Sequence, residues 1–191
     1  NDAEIVSLYL GAEEKLQLAP LSSAGQAPYT EYVSDPDEAV PYSEDIKQTY
    51  TPRKYMTDDQ RFATRRPDVI EFQTEILEES VTLAGDILAR LFVSTTGTDA
   101  DWVVKLIDVY PDATENHPMT PDGVQLGGYE QMVRSEILRG RFRNSFENPE
   151  PFVPGETTAI ELPLQDVYHT FKQGHRIMVH VQSTWFPLFD R

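Results

Sequence analysis

The sequence predicts an all-β fold, a jelly-roll β-sandwich with an N-terminal hairpin and a long connector. Three observations lead to this prediction: apolar runs of strand length recur after residue 67, turn signals separate them, and no stretch has convincing amphipathic-helix periodicity. The turns include Pro121-Asp122-Gly123 and Pro154-Gly155-Glu156. The predicted strands cover residues 69–74, 81–95, 102–110, 129–142, 157–164 and 175–186.

Residues 1–52 are predicted as a hairpin followed by a connector. Two short apolar-rich runs, 5–10 and 15–18, flank a four-residue turn. From residue 19 the chain is rich in proline and turn residues, and we expect so long a connector to wrap a surface of this domain or of a neighbour. The predicted division is therefore a hairpin and connector over 1–52 and a sandwich over 53–191.

Two strands carry information about their surroundings. In 175–186, the odd-numbered side chains from Ile177 onward point to one face and the even-numbered ones to the other, which is the period of a strand. The stretch 102–110 is apolar on both faces except at Lys105 and Asp108. Such a strand is expected between two layers.

Composition limits the classes of function. The chain has 191 residues, enough for one domain with its own core. It has no cysteine, which excludes disulfides, a thiolate nucleophile and cysteine-ligated metals. Its 16 basic and 32 acidic side chains give a net charge of −16, which disfavours nucleic acid and anionic lipid as partners. No apolar run approaches the roughly 20 residues of a membrane span, so we expect no membrane insertion.

The sequence contains no recognisable catalytic motif. It lacks the Gly-x-Ser-x-Gly turn of serine hydrolases, a phosphate-binding glycine loop and a His-Glu-x-x-His metal motif. Its four histidines do not have the close spacing of a compact metal site, and structural roles are favoured for them. We expect no cofactor and no catalysis by the chain alone.

Several polar and aromatic clusters have two interpretations. Asp99 and Asp101 are a weak candidate for calcium, and ordinary turn residues otherwise. Large aromatic side chains, Trp102 among them, suit either a sugar-binding platform or the core, and the core is favoured. Some arginines near the end of one predicted strand are expected to pair with acidic neighbours: Arg134, Arg139, Arg141 and Arg143.

Motifs spread over nearly the whole chain resemble one family. They are Tyr32-Val33-Ser34-Asp35-Pro36, Val40-Pro41-Tyr42, Asp59-Gln60-Arg61-Phe62, Arg66-Pro67-Asp68-Val69, residues 99–111, Gly127-Gly128-Tyr129-Glu130, Arg139-Gly140-Arg141-Phe142-Arg143, Pro154-Gly155, and residues 174–179 and 186–191. In this order they resemble the C-terminal domain of the Xaa-Pro dipeptidyl-peptidase and cocaine esterase group of hydrolases. The similarity is greatest to α-amino-acid ester hydrolases and glutaryl cephalosporanic acid acylases.

The resemblance implies a galactose-binding-like jelly roll that follows an α/β-hydrolase domain in one polypeptide. The nucleophile, acid and histidine of such enzymes lie in the hydrolase domain, so this domain is expected to be non-catalytic and to help shape the acyl pocket. The implied substrates are α-amino-acid esters, acyl amides or dipeptides. The implied location is periplasmic or secreted, and the resemblance also implies at least one further strand beyond Arg191.

The resemblance also points to a contact region. In the family, the stretch between the Val-Pro and Asp-Gln-Arg motifs, here residues 43–58, approaches the acyl pocket. An equally open interpretation is that Asp59, Gln60 and Arg61 only anchor a loop to the sandwich. The positions singled out for pocket or interdomain contact are Tyr50, Tyr55, Met56, Asp59, Gln60, Arg61 and Phe62.

Two further possibilities stay open from the sequence, of which the second is compatible with a C-terminal domain of a hydrolase. The chain could be an independent carbohydrate-binding or interaction module, since jelly rolls also serve as lectin-like domains. It could also form a homo-oligomer, with residues 1–52 reaching a neighbouring subunit. Neither alternative requires a cofactor.

Overall fold

The computed structural model describes residues 4–20, 29–46 and 53–190. Within these ranges the protein is built from antiparallel strands, as predicted, with one four-residue α-helix, α1 (Arg61–Thr64). The described residues contain no helix with the length and apolar character of a membrane span. The strands are β1 (Tyr9–Leu10), β2 (Leu16–Gln17), β3 (Val69–Gln73), β4 (Val81–Val93), β5 (Asp101–Val109), β6 (Glu130–Arg139), β7 (Thr158–Phe171) and β8 (Arg176–Gln182).

Two sheets form the layers of the sandwich. One has four strands in the order β3-β8-β5-β6, and all its pairs are antiparallel. The other is the long pair β4-β7, which runs from Val81 opposite Phe171 to Val93 opposite Thr158, with a bulge after Gly85. Because β8 lies between β3 and β5, the four-stranded sheet joins parts of the chain about a hundred residues apart.

The main core fills the space between the two sheets. The even-numbered residues of β5 from Trp102 to Leu106 face β4 and β7, and Trp102 also packs edge-to-face on Phe152 with ring centroids 5.2 Å apart. Trp102 is only 5% exposed, so the favoured core assignment is correct for this residue. The outer face of the β4-β7 sheet is open and carries exposed Leu88, Phe92 and Tyr168.

The outer face of the four-stranded sheet is covered by its own chain. Val103 and Met132 on this face pack against Tyr42 and Trp185. The prediction that β5 lies between two layers is therefore confirmed, since every residue from Trp102 to Asp108 is buried. The cover comes from residues 40–46 and 53–64 and from the stretch after β8.

The hairpin and part of the connector pack on the sandwich. β1 and β2 pair as an antiparallel hairpin, as predicted, and Leu16 lies in the main core. Val40 packs with Ala63 of α1 and Val69 of β3 in a small core of its own. The described part of the connector therefore packs on this domain. The division of the chain at residue 52 stays a prediction.

Some predicted strand limits were wrong. β7 extends to Phe171, seven residues beyond the predicted end, because its whole length pairs with the long strand β4. The predicted strand 129–142 ends at Arg139, where a 3-10 turn over Gly140–Phe142 begins. The predicted strand 175–186 ends at Gln182. These limits depend on pairing partners far along the chain, which local polarity does not specify.

Gly140 is expected to be intolerant of any side chain. A Cβ at this position would lie 2.2 Å from the carbonyl oxygen of Ala100 and 2.7 Å from the Trp102 ring. The Gly140 amide donates to that same carbonyl oxygen, so the backbone cannot move away without losing the bond. Gly140→Ala should lower the free energy of unfolding by about 2 kcal/mol or more, measured by urea denaturation.

Gly97→Ala is the matched control. Gly97 is exposed, and the nearest atom to an added Cβ would be 3.7 Å away, which is ordinary contact. We expect it to change the free energy of unfolding by less than about 0.5 kcal/mol. Equal effects of the two substitutions would contradict the close approach at Gly140.

Candidate functional site

The described residues among those singled out from the sequence belong to the segment that covers the outer face of the four-stranded sheet. Arg53–Thr57 form a 3-10 turn, and α1 follows it after Gln60. The base of the 43–58 loop is closed by a hydrogen bond from Ser43 Oγ to Asp58 Oδ2, at 3.3 Å. Tyr50, one of the predicted contact residues, lies outside the described residues.

Asp59 and Arg61 tie this segment to β6 and the turn before it. Arg61 Nε donates to Asp59 Oδ2 at 2.8 Å, and Arg61 Nη1 donates to the carbonyl oxygen of Gly127 at 3.1 Å. The backbone amide of Glu130 donates to Asp59 Oδ1 at 3.3 Å. Because the carboxylate is engaged from both sides, these two side chains are already occupied within the domain.

Gln60 connects the segment to the centre of the sheet. Its side chain is fully buried, with Oε1 accepting from Lys105 Nζ at 2.9 Å and Nε2 donating to the carbonyl oxygen of Asp58 at 2.9 Å. Its backbone amide donates to the carbonyl oxygen of Glu130, also at 2.9 Å. Gln60 therefore joins the loop, β5 and β6 through three hydrogen bonds.

Lys105 is a fully buried lysine in the middle of β5. Its Nζ lies 5.3 Å from the ring centroid of Trp185 and 6.0 Å from that of Phe62, so aromatic rings surround the ammonium group. Burial disfavours the charged form and lowers the pKa of Lys105 to about 7. The sequence marked this lysine as an exception in an apolar strand, but did not assign it a role.

Lys105 belongs to a polar row across the outer face of the sheet. Its direct neighbour on β8 is His180, and the neighbour of His180 on β3 is Glu71. Residues directly opposite on neighbouring strands share a face, so these three side chains lie side by side. On one side the row is followed by the apolar pair Ile107 and Met178, and on the other side by Val103 beside the buried Gln182. Three ionisable groups therefore lie side by side on a covered face of the sheet.

Thr64, at the end of α1, bridges two more buried groups. Its Oγ1 donates to Glu130 Oε2 and lies 3.0 Å from His180 Nε2. Burial, with Asp59 and Glu71 nearby, raises the pKa of Glu130 to about 7. Burial, with Lys105 nearby, lowers the pKa of His180 well below its ordinary value.

Tyr55 and Met56 differ in how they are placed. The Tyr55 ring packs edge-to-face on Tyr42 and Trp185, at centroid distances of 5.6 Å and 5.9 Å. Met56 is 53% exposed and borders a cleft of about 190 Å³ between the 3-10 turn and strands β6 and β7. Tyr55 is therefore held by its own domain, whereas Met56 is available to a neighbour.

The acidic pair considered for calcium is engaged by arginines. Asp101 pairs with Arg139 at 2.7 Å, and Asp99 pairs with Arg141 at 3.0 Å. The described residues hold no group of three or more His, Asp or Glu side chains placed to bind a metal ion. The predicted pairing of these arginines is confirmed. Arg134 instead donates to the backbone oxygens of Val133 and Asp166.

One buried cluster was missed by the sequence analysis. Asp108 accepts hydrogen bonds on both oxygens, from His169 Nε2 at 2.9 Å and from His175 Nδ1 at 2.7 Å. The two histidines come from β7 and from the turn before β8. The sequence spacing of these two histidines does not indicate the cluster, because they reach Asp108 only in the folded sandwich. His169 also borders the cleft beside Met56.

Comparison with known protein families gives one match over the full length. A sequence model described as the X-Pro dipeptidyl-peptidase C-terminal non-catalytic domain matches residues 1–191. Cocaine esterase from Rhodococcus sp. (strain MB1 Bresler) is 35% identical over 133 residues. That match covers 70% of this chain and 21% of the esterase.

Two solved structures are similar over most of the chain. One is an aminopeptidase from the marine sediment archaeon Thaumarchaeota archaeon, with a TM-score of 0.85 and 46% identity. The other is an α-amino acid ester hydrolase labelled with selenomethionine, with a TM-score of 0.85 and 45% identity. Both matches cover 96% of this chain, but only 30% and 29% of those proteins. The chain thus spans less than a third of the length of these relatives.

The buried Glu130 predicts a defined pH dependence of stability. Its pKa is about 7 in the folded protein and near 4.5 when exposed, so the folded state binds the extra proton in this range. The free energy of unfolding should therefore fall as pH rises from 4.5 to 7. Glu130→Gln removes this loss. The free energy of unfolding of the variant minus that of wild type should therefore be up to about 3 kcal/mol larger at high pH than at low pH.

Urea denaturation of both proteins across this pH range measures the difference. Glu156→Gln is the control, because Glu156 is exposed in a turn and its carboxylate stays hydrated. We expect that control to follow the wild-type curve. Parallel curves for wild type and Glu130→Gln would show that the Glu130 carboxyl is not perturbed.

Proposed function

Because the chain belongs to the family of X-Pro dipeptidyl-peptidase C-terminal non-catalytic domains, we propose that it packs on a hydrolase domain and shapes its acyl pocket through Met56. The hydrolase domain would belong to the same polypeptide and carry the serine nucleophile. The proposed substrates are α-amino-acid esters, acyl amides or dipeptides. Relatives named as an aminopeptidase, an ester hydrolase and a cocaine esterase support this range.

The observation that carries the proposal is the contrast between Met56 and its surroundings. Nearby residues of the turn are fastened: Tyr55 by aromatic contacts, and Asp58, two residues after Met56, by Ser43 Oγ and by Lys54 Nζ, the latter at 3.3 Å. Met56 itself remains 53% exposed. An apolar side chain on a fastened turn suits a contact with a neighbouring domain better than with water, because burying it removes apolar surface from solvent.

The Asp59–Phe62 motif has a separate role in this proposal. Gln60 is fully buried, and Asp59 and Arg61 are bonded within the domain, which supports the interpretation that the motif anchors the loop. The domain would then contribute to catalysis indirectly. It would fix one wall of the acyl pocket and exclude water from it, which favours productive orientation of the substrate.

Substitution of Met56 in the full-length enzyme tests the proposal. Met56→Ala should change the ratio of kcat/KM between a large and a small acyl group by about tenfold, since lost apolar contact in a pocket alters discrimination by this order. The measurement is steady-state kinetics on a series of esters that differ only in acyl size.

Met119→Ala is the matched control, because Met119 is 83% exposed and does not border the cleft beside Met56. We expect its selectivity to equal that of wild type. Tyr55→Ala is a second comparison, and should mainly lower stability because Tyr55 packs on Tyr42 and Trp185. Unchanged selectivity in Met56→Ala would rule out the pocket contact.

A further inference from the structure

The Thr64 hydroxyl can donate to only one acceptor at a time. It lies within hydrogen-bond distance of Glu130 Oε2, of His180 Nε2 at 3.0 Å and of the Gln60 carbonyl oxygen at 3.3 Å, and a hydroxyl has a single proton to donate. If Thr64 donates to Glu130, then Nε2 of His180 must carry a proton and donate to Thr64. If Thr64 donates to His180, then Glu130 must carry a proton and donate to Thr64.

The two arrangements differ by one proton and by the tautomer of His180. In the first, Glu130 is ionised and the ring proton of His180 is on Nε2. In the second, Glu130 has taken one proton from solvent and the ring proton of His180 is on Nδ1. Among the described residues, His180 Nδ1 has no hydrogen-bond partner, so nothing else fixes the tautomer. When Thr64 bonds to both groups, the protonation of Glu130 is therefore linked to the tautomer of His180.

We propose that Glu130, Thr64 and His180 act as one proton-sharing unit, and that the gain or loss of its proton changes how the segment carrying Met56 is held. Thr64 and Glu130 are then positioning residues for the pocket. This last step rests on the function proposed above, whereas the proton sharing does not.

The structure connects this unit to Met56 through short paths. Thr64 ends the one-turn helix α1, and its amide donates to the carbonyl oxygen of Gln60 at 3.1 Å. The Gln60 amide in turn donates to the carbonyl oxygen of Glu130. Both backbone bonds meet at Gln60, which lies three residues after the end of the 3-10 turn that carries Met56.

The charges that face the unit come from every element around it. Burial lowers the pKa of His180, and Lys105 on β5, which lies beside it, lowers that pKa further. Burial raises the pKa of Glu130, the Thr64 hydrogen bond lowers it, Asp59 in the loop and Glu71 on β3 raise it, and Arg61 lowers it. Their combined effect, with burial, gives a pKa of about 7, so both states are populated near neutral pH.

Nuclear magnetic resonance of the full-length enzyme with ¹⁵N-labelled histidine tests the proton sharing. The His180→Gln variant identifies the His180 signals. We expect the two ring nitrogens of His180 to change from the Nδ1-protonated to the Nε2-protonated pattern as pH rises, with a midpoint at about pH 7. The ring remains neutral on both sides of the transition.

Three variants separate this unit from a merely structural contact. Glu130→Gln should abolish the transition, because the amide does not titrate. Thr64→Val should abolish it by removing the bridge, and Thr64→Ser should restore it. Glu71→Gln should keep the transition but lower its midpoint, because it removes a like charge that raises the pKa of Glu130. An unchanged transition in Glu130→Gln, or none in wild type, overturns the proposal.

The position of the segment is measured separately with ¹³C-methyl-labelled methionine. We expect the Met56 methyl signal to shift with the same midpoint as His180, and this shift to disappear in Glu130→Gln. The Met119 methyl is the internal control and should not shift. A Met56 signal that ignores pH while His180 titrates would overturn the positioning step. This measurement does not depend on enzyme activity. It therefore tests the positioning step even if Met56 has no effect on acyl selectivity.

Discussion

The burial of Lys105 is the constraint on which the covered face of the sheet depends. A lysine with no exposed surface loses its hydration, and the lost hydration is compensated mainly by one hydrogen bond to Gln60 and by the rings of Phe62 and Trp185. All three of these side chains belong to the segments that cover the sheet. The segments that cover the sheet are therefore positioned by this buried polar group as well as by apolar contacts. Removing them would break the hydrogen bond between Gln60 and Lys105.

Local polarity predicted the faces of the strands but not their neighbours. The period of two in β8 separated the core side, with Ile177 and Val181, from the side that carries His180. The polar row needed the additional knowledge that β8 lies between β3 and β5. That order follows from packing of the whole sandwich, which is why Glu71, His180 and Lys105 could not be joined from the sequence. The same reason hid the sharing of Asp108 by His169 and His175.

The family resemblance located the right segment without separating its parts. It singled out residues on both sides of Asp58 as one contact region. The structure places Gln60 inside the domain and Met56 at its surface, only four residues apart. Residue type could not make this distinction, because a glutamine is usually exposed and a methionine usually buried. Here both expectations are reversed, since Gln60 satisfies a buried lysine and Met56 stands on a turn that faces outward.

The short helix α1 explains why so many polar contacts gather around it. Four residues form a single turn, which has no stability of its own in water. Its position must come from side chains: Ala63 packs with Val40 and Val69, and Thr64 reaches Glu130 and His180. Because a single turn depends on such side-chain contacts, the hydrogen bonds of Thr64 to Glu130 and His180 are part of what holds α1 on the sheet.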